Sequence, residues 1–273
     1  MERLGGFQLV AHLGRGKSTE VYDAVRIATG ARVAVRVIQQ WIVARALNFD
    51  PAFLNRFREA TVARSQARSA HLVAIDEVCD DDGVVFVVTE LVAGRRLAES
   101  IGARFPCAAT LSILEQLCDA VDALRAVGIV DCLPLPNKLY VVPHAGSEIV
   151  KLDTLFVARP PSFELKGAHA GPPQLRYWSP QRLMGRPFDR SDDVYALGTL
   201  GYELLTGRLP FADATDSASR IMALLKQDPT PASRHADVPP HIDDVLLTCL
   251  QKQPSARYAD LATLREALRA QTS

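Results

Sequence analysis

The chain has 273 residues, 48% of them hydrophobic and 23% charged, with 31 basic residues against 31 acidic. That is enough for one large domain or two lobes sharing an interface, and the charge balance argues against the broad basic footprint of a nucleic-acid-binding protein. Five scattered cysteines at no zinc or redox spacing, a start (MERLGG) without a signal core and the lack of a ~20-residue apolar run point to a cytoplasmic chain with no membrane segment.

The first ninety residues read mainly as strands. "FQLVAHLGRG", "EVYDAVRIATG" and "ARVAVRVIQQ" are rich in β-branched residues, with a hairpin turn at Thr29-Gly30. "PAFLNRFREATVARSQAR", residues 51–68, changes to helical spacing, with Phe53, Phe57 and Ala60 on one face. Its arginines, Arg56, Arg58, Arg64 and Arg68, read as a solvated charged face. "HLVAIDEV" and "GVVFVVTELV" are two further strands, and the acidic "CDDDG" between them is a solvated hairpin tip.

After Gly94 the pattern becomes helical. "LSILEQLCDAVDALRAVG" is amphipathic and stops at Gly128. Residues 159–174 read as loop. "DVYALGTLGYELLTG" is apolar on nearly all sides, so it predicts a buried central helix ending at Gly207. The remainder, to Leu268, is helical with proline breaks. A small β-rich lobe (about 1–92) with one long helix, a hinge at about 90–94 and a larger, mainly α-helical lobe (about 95–273) are expected, an α+β fold.

The glycine pair in "HLGRGKSTEVY", Gly14 and Gly16, is a weak signal alone, since a turn between strands needs glycine for backbone reasons. In order after it come "VAVRV", a helix with Glu59, "VVTELVAG", "KLDTL", "YWSPQ", "RSDDVYALGTLGYELLTGRLPF" and "PSARY". Together, from about Phe7 to Leu268, this series resembles the protein kinase superfamily, in particular bacterial Ser/Thr kinases of eukaryotic (Hanks) type. The resemblance implies a single bilobal domain. It also implies a nucleotide cleft walled by Val21, Ala34 and the hinge residues Glu90 and Val92, with the glycine loop carrying Lys17. Asp193 would tether the catalytic loop, and Arg257 would meet Gln181.

Several residues depart from the family's chemistry, which needs a strand lysine paired with a helix glutamate, a carboxylate base, a transfer lysine and two metal ligands. Here the strand position is Arg36, expected to pair with Glu59. The loop "DCLPLPNK" puts Leu133 at the base, Leu135 at the lysine and Lys138 at the metal asparagine. A one-residue insertion would instead recruit Asp131 and Asn137, but Gly128-Ile129-Val130 and Pro136 fit the register without it. Asp153 keeps the remaining metal carboxylate but is followed by Thr154 and Leu155, and a salt bridge from Lys138 to Asp153 is expected. Only Thr154 and Ser162 offer hydroxyls in the following segment. These departures imply a catalytically impaired, pseudokinase-like module with no catalytic residues, weak ATP binding or none, and little use for Mg2+. It would work in signalling through a protein partner, a genuine kinase or signalling protein. The alternative is an atypical but active Ser/Thr kinase.

Overall fold

The computed structural model describes residues 2–16, 19–130, 133–154, 173–212 and 217–271. The chain divides into two units: Met1–Ala93 with Ala126–Ile129 and Asp153–Lys166, and Gly94–Arg125 with Val130–Leu152 and Gly167–Ser273.

The first unit is built on a six-stranded antiparallel sheet. Its strands are β1 (Arg3–Leu4), β2 (Phe7–Arg15), β3 (Thr19–Arg26), β4 (Arg32–Ile38), β5 (Ile75–Asp81) and β6 (Val84–Glu90), in the order β1-β2-β3-β4-β6-β5. Alternation along β4 divides its side chains between two cores. Val33 and Val35 join Phe7, Ala24, Phe86 and Val88 on one face. Ile38 packs with Val85, Val87 and Phe57 on the other. Strand β6, "VVFVVTE", is buried on both faces and so shows no polar alternation. Gly30, at φ +74°, turns the chain between β3 and β4. Asp82 and Gly83 do the same between β5 and β6, at φ 49° and 78°. Both hairpin turns lie where the sequence places them.

Two helices follow β4, where one is expected. Helix α1 (Gln40–Phe49) is the addition, and α2 (Phe53–Gln66) fills the expected segment. The buried stripe of α2 is Phe53, Phe57, Thr61 and Arg64, at spacings of four, four and three. The surface reading of its arginines holds for the exposed Arg56 and Arg68 and needs correcting at Arg64. Arg64 is only 1% exposed, while Arg56 pairs with Asp50 and Arg58 with Asp80.

The second unit carries a small sheet of β7 (Arg95–Arg96), β8 (Leu139–His144) and β9 (Ser147–Leu152). Its helices are α3 (Cys107–Ala126), α4 (Pro180–Leu183), α5 (Arg190–Thr206), α6 (Ser217–Lys226), α7 (Pro240–Cys249) and α8 (Leu261–Arg269). Every residue of α5 from Ser191 to Thr206 is buried, as its all-round apolarity predicts. An Asp189–Asp192 capping box starts α5, and Gly207 in the left-handed region ends it. Gly198 and Gly201 let its neighbours close in. A Cβ at Gly198 would collide with the Cβ of Cys249 on α7, and one at Gly201 would sit 2.8 Å from Leu114 on α3. No described helix is long and apolar enough to cross a membrane.

Candidate functional site

In the first unit, strand register assembles one wall. Val21 on β3 lies opposite Arg36 on β4, which lies opposite Val87 on β6; two residues along, Ala34 lies opposite Thr89. Val21, Ala34, Arg36 and Thr89 therefore share one face of the sheet. Gly14 pairs with Val21, so the glycine loop borders the same face. The amide of Gly16 donates to the Thr19 carbonyl at 2.8 Å, and its own carbonyl accepts from Gln39 at 3.1 Å. Neither glycine has a positive φ, and a Cβ at Gly14 would meet open space. Turn geometry is thus not what calls for glycine there. Lys17 lies outside the described residues.

Arg36 is 6% exposed, yet its guanidinium is engaged in two directions. Nη1 donates to Asp153 Oδ2 at 2.8 Å and Nε donates to Thr89 Oγ1 at 3.2 Å. The expected Arg36–Glu59 pair does not form, because Glu59 is exposed. Glu59 stands two positions after Phe57, a helical rotation that carries it well off the buried stripe. Within its own unit, Asp153 is paired with Arg36.

The residue after Asp153 is anchored as well. Thr154, 8% exposed, accepts from Arg64 Nε at 2.8 Å, and Arg64 Nη2 donates to the Val73 carbonyl at 3.0 Å. Strand β4 and helix α2 thus each extend a guanidinium to the Asp153-Thr154 pair. Sequence reasoning misses Arg64 and Thr89 as members of this network. The available signal is Arg64's position on the Phe53–Phe57 stripe, where a charge must find a buried partner. Thr154 is a buried acceptor rather than an accessible phosphorylation site; Leu155 and Ser162 lie outside the described residues.

The remaining predicted wall residues do other work. Glu90 Oε1 accepts from the Ala74 amide at 2.8 Å and so closes the entry to β5. Val92 is half-buried. Gly94 permits a close approach, since a Cβ there would lie 2.6 Å from the Val141 carbonyl oxygen of β8.

In the second unit, Leu133 and Leu135 are 7% and 3% exposed, flanked by the buried Pro134 and Pro136. The Leu135 amide donates to the Leu133 carbonyl at 2.9 Å, and the Lys138 amide donates to the Leu135 carbonyl at 2.8 Å. This turn directs both leucines inward and leads into β8. Asn137 is exposed, with its carbonyl accepting from Arg96 Nη1 at 2.6 Å; Asp131 lies outside the described residues. Asp193, expected to hold the catalytic loop backbone, receives Arg125 Nε of α3 at 2.6 Å. Arg125 also lies over the Phe188 ring at 5.0 Å.

The predicted Gln181–Arg257 contact is present. Arg257 Nη2 donates to Gln181 Oε1 at 2.6 Å, Nε to the Gln251 carbonyl at 2.8 Å and Nη1 to the Ser191 carbonyl at 3.0 Å. Its guanidinium lies over Tyr195 at 4.9 Å. Asp192, 4.0 Å away, supplies the nearby charge that Gln181 lacks. Beside this cluster, Tyr177 donates to Glu203, and burial raises the Glu203 carboxyl above the usual carboxylate range.

In the first unit, the Asp153 carboxylate is paired with the Arg36 guanidinium. No group of three or more His, Cys, Asp or Glu gathers among the described residues.

Residues 7–268 match the protein tyrosine and serine/threonine kinase family. The chain is 32% identical over 271 residues to serine/threonine-protein kinase Pkn1 of Myxococcus xanthus, covering 97% of this chain and 38% of that protein. It is 27% identical over 262 residues to serine/threonine-protein kinase PknA of Mycobacterium tuberculosis, covering 93% and 58% respectively. The chain thus spans about two-fifths to three-fifths of the length of these relatives. The crystal structure of a mutant of the Mycobacterium tuberculosis PknI kinase domain superposes with a TM-score of 0.71 at 20% identity, covering 98% of this chain and 96% of that one. With its β-sheet lobe, its helical lobe and this match along nearly its whole length, the chain belongs to the protein tyrosine and serine/threonine kinase family.

Proposed function

We propose that this chain is a catalytically impaired Ser/Thr protein-kinase-like domain, a pseudokinase that acts as a binding, scaffold or regulatory module for a protein partner in signalling. One observation carries the reading: the side chain at the base position, Leu133, is aliphatic and packed inward. An alkyl group accepts no proton, and a positioned general base contributes ~10²–10⁴-fold to such a reaction. The Arg36–Asp153 pair supports the same conclusion, because it ties up the one retained metal carboxylate. The family uses ATP with Mg2+; in this chain the pairing leaves weak nucleotide binding or none.

The alternative, an atypical active Ser/Thr protein kinase, draws its support from the relatives, which carry the name serine/threonine-protein kinase. Incubation with radiolabelled ATP and Mg2+ or Mn2+, alongside Asp153→Ala, separates the two. The proposal expects no label transferred to the chain itself or to a general protein substrate. Transfer by the wild type that Asp153→Ala abolishes establishes the alternative.

A further inference from the structure

Arg36 and Asp153 form an ion pair of which the two side chains are only 7% and 10% exposed. Among the described residues Asp153 is the one anion paired with Arg36. The other donor contact goes to a neutral hydroxyl, Thr89 Oγ1. A guanidinium presents its N–H groups in a fork whose geometry suits carboxylate and phosphate oxygens alike. When one member of such a buried pair is lost, the other is left as an uncompensated charge that favours any counter-ion able to reach it.

Asp153 is also held in place independently of its charge. Thr154 is fixed by Arg64, and Arg64 in turn by the Val73 carbonyl. The carboxylate is therefore presented to Arg36 by the backbone, at a high local concentration that a free anion must match.

Resting on the pseudokinase reading, we propose that Asp153 acts as a built-in competitor for anionic oxygens at the Arg36 guanidinium, so that removing its carboxylate turns Arg36 into a metal-independent receptor for the polyphosphate of a nucleotide. This inverts the role of a metal-holding carboxylate, whose removal weakens nucleotide binding. The ligand class is a nucleoside triphosphate engaged through its phosphate oxygens.

The test is binding without metal, read by calorimetry and thermal shift in EDTA. Wild type, Asp153→Asn and Asp153→Ala are each titrated with ATP, inorganic tripolyphosphate and adenosine. Asp153→Asn keeps the side-chain volume, which guards against Asp153→Ala failing to fold. The expected result is that ATP and tripolyphosphate bind the Asn variant about tenfold or more tightly than wild type, while adenosine shows no gain. Combining Arg36→Met with Asp153→Asn should abolish the gain.

Unchanged or weaker ATP binding by Asp153→Asn overturns the inference. So does a gain that adenosine shares, or one that survives Arg36→Met. These outcomes are distinct from failure of the pseudokinase reading, which is signalled by phosphoryl transfer in the presence of Mg2+ or Mn2+.

Discussion

Lys252 shows how burial changes what a single side chain contributes. Its Nζ donates to the Leu224 carbonyl at 2.7 Å and lies 4.2 Å from the Phe211 ring centroid. Desolvation pushes its amine down to about 8 from the ordinary lysine value of 10.5. Between those two pH values the unfolded chain binds the proton and the folded chain does not, so stability from this group rises with pH across that window. Urea denaturation from about pH 7.5 to 10.5 should show the rise, and Lys252→Met should remove that component. Tyr177 makes a second case at this scale. Replacing it with Phe leaves the buried Glu203 carboxyl without this donor, and a loss of about 1–3 kcal/mol is expected in chemical denaturation.

Between elements, steric room decides more than charge. Gly198 sits where α5 meets α7 at Cys249, and no flexible side-chain end is available there to yield. Gly198→Ala should therefore cost about 1–3 kcal/mol through overpacking. Gly14→Ala, facing open space, should leave the thermal midpoint nearly unchanged, and a paired melting experiment checks both. This contrast also explains what could be read from residue order alone. The β3–β4 and β5–β6 turns announce themselves through Gly30 and Asp82-Gly83, and α5 through its unbroken apolarity and terminal Gly207. Helix α1 is hidden because "QQWIVARALNF" continues a β-branched run and Gln39 makes no side-chain cap. The β8–β9 hairpin is missed because its turn is Ala145-Gly146, at φ 45° and 81°, rather than a pair headed by Asn or Asp. In the site, the leucines at 133 and 135 and the Gln181–Arg257 contact are legible as positions. The partner of Arg36 is not, since Glu59 and the buried stripe of α2 differ in helical phase, and periodicity alone leaves that phase uncertain by a residue.

At the scale of the molecule, 31 basic residues offset 31 acidic ones and the isoelectric point lies near 7.0. With so little net repulsion at neutral pH, self-association should be strongest there and should ease as pH moves either way. Static light scattering at fixed concentration from about pH 5.5 to 9 measures this. The inward-turned Leu133 limits what a single substitution there can do. Leu133→Asp would bury a carboxylate beside the buried Pro134, at a penalty on the order of 3 kcal/mol that chemical denaturation would read. A proton acceptor at this position would therefore need a repacked pocket around it, so the hydrocarbon filling the turn sets a folding toll on any single-residue attempt to install one.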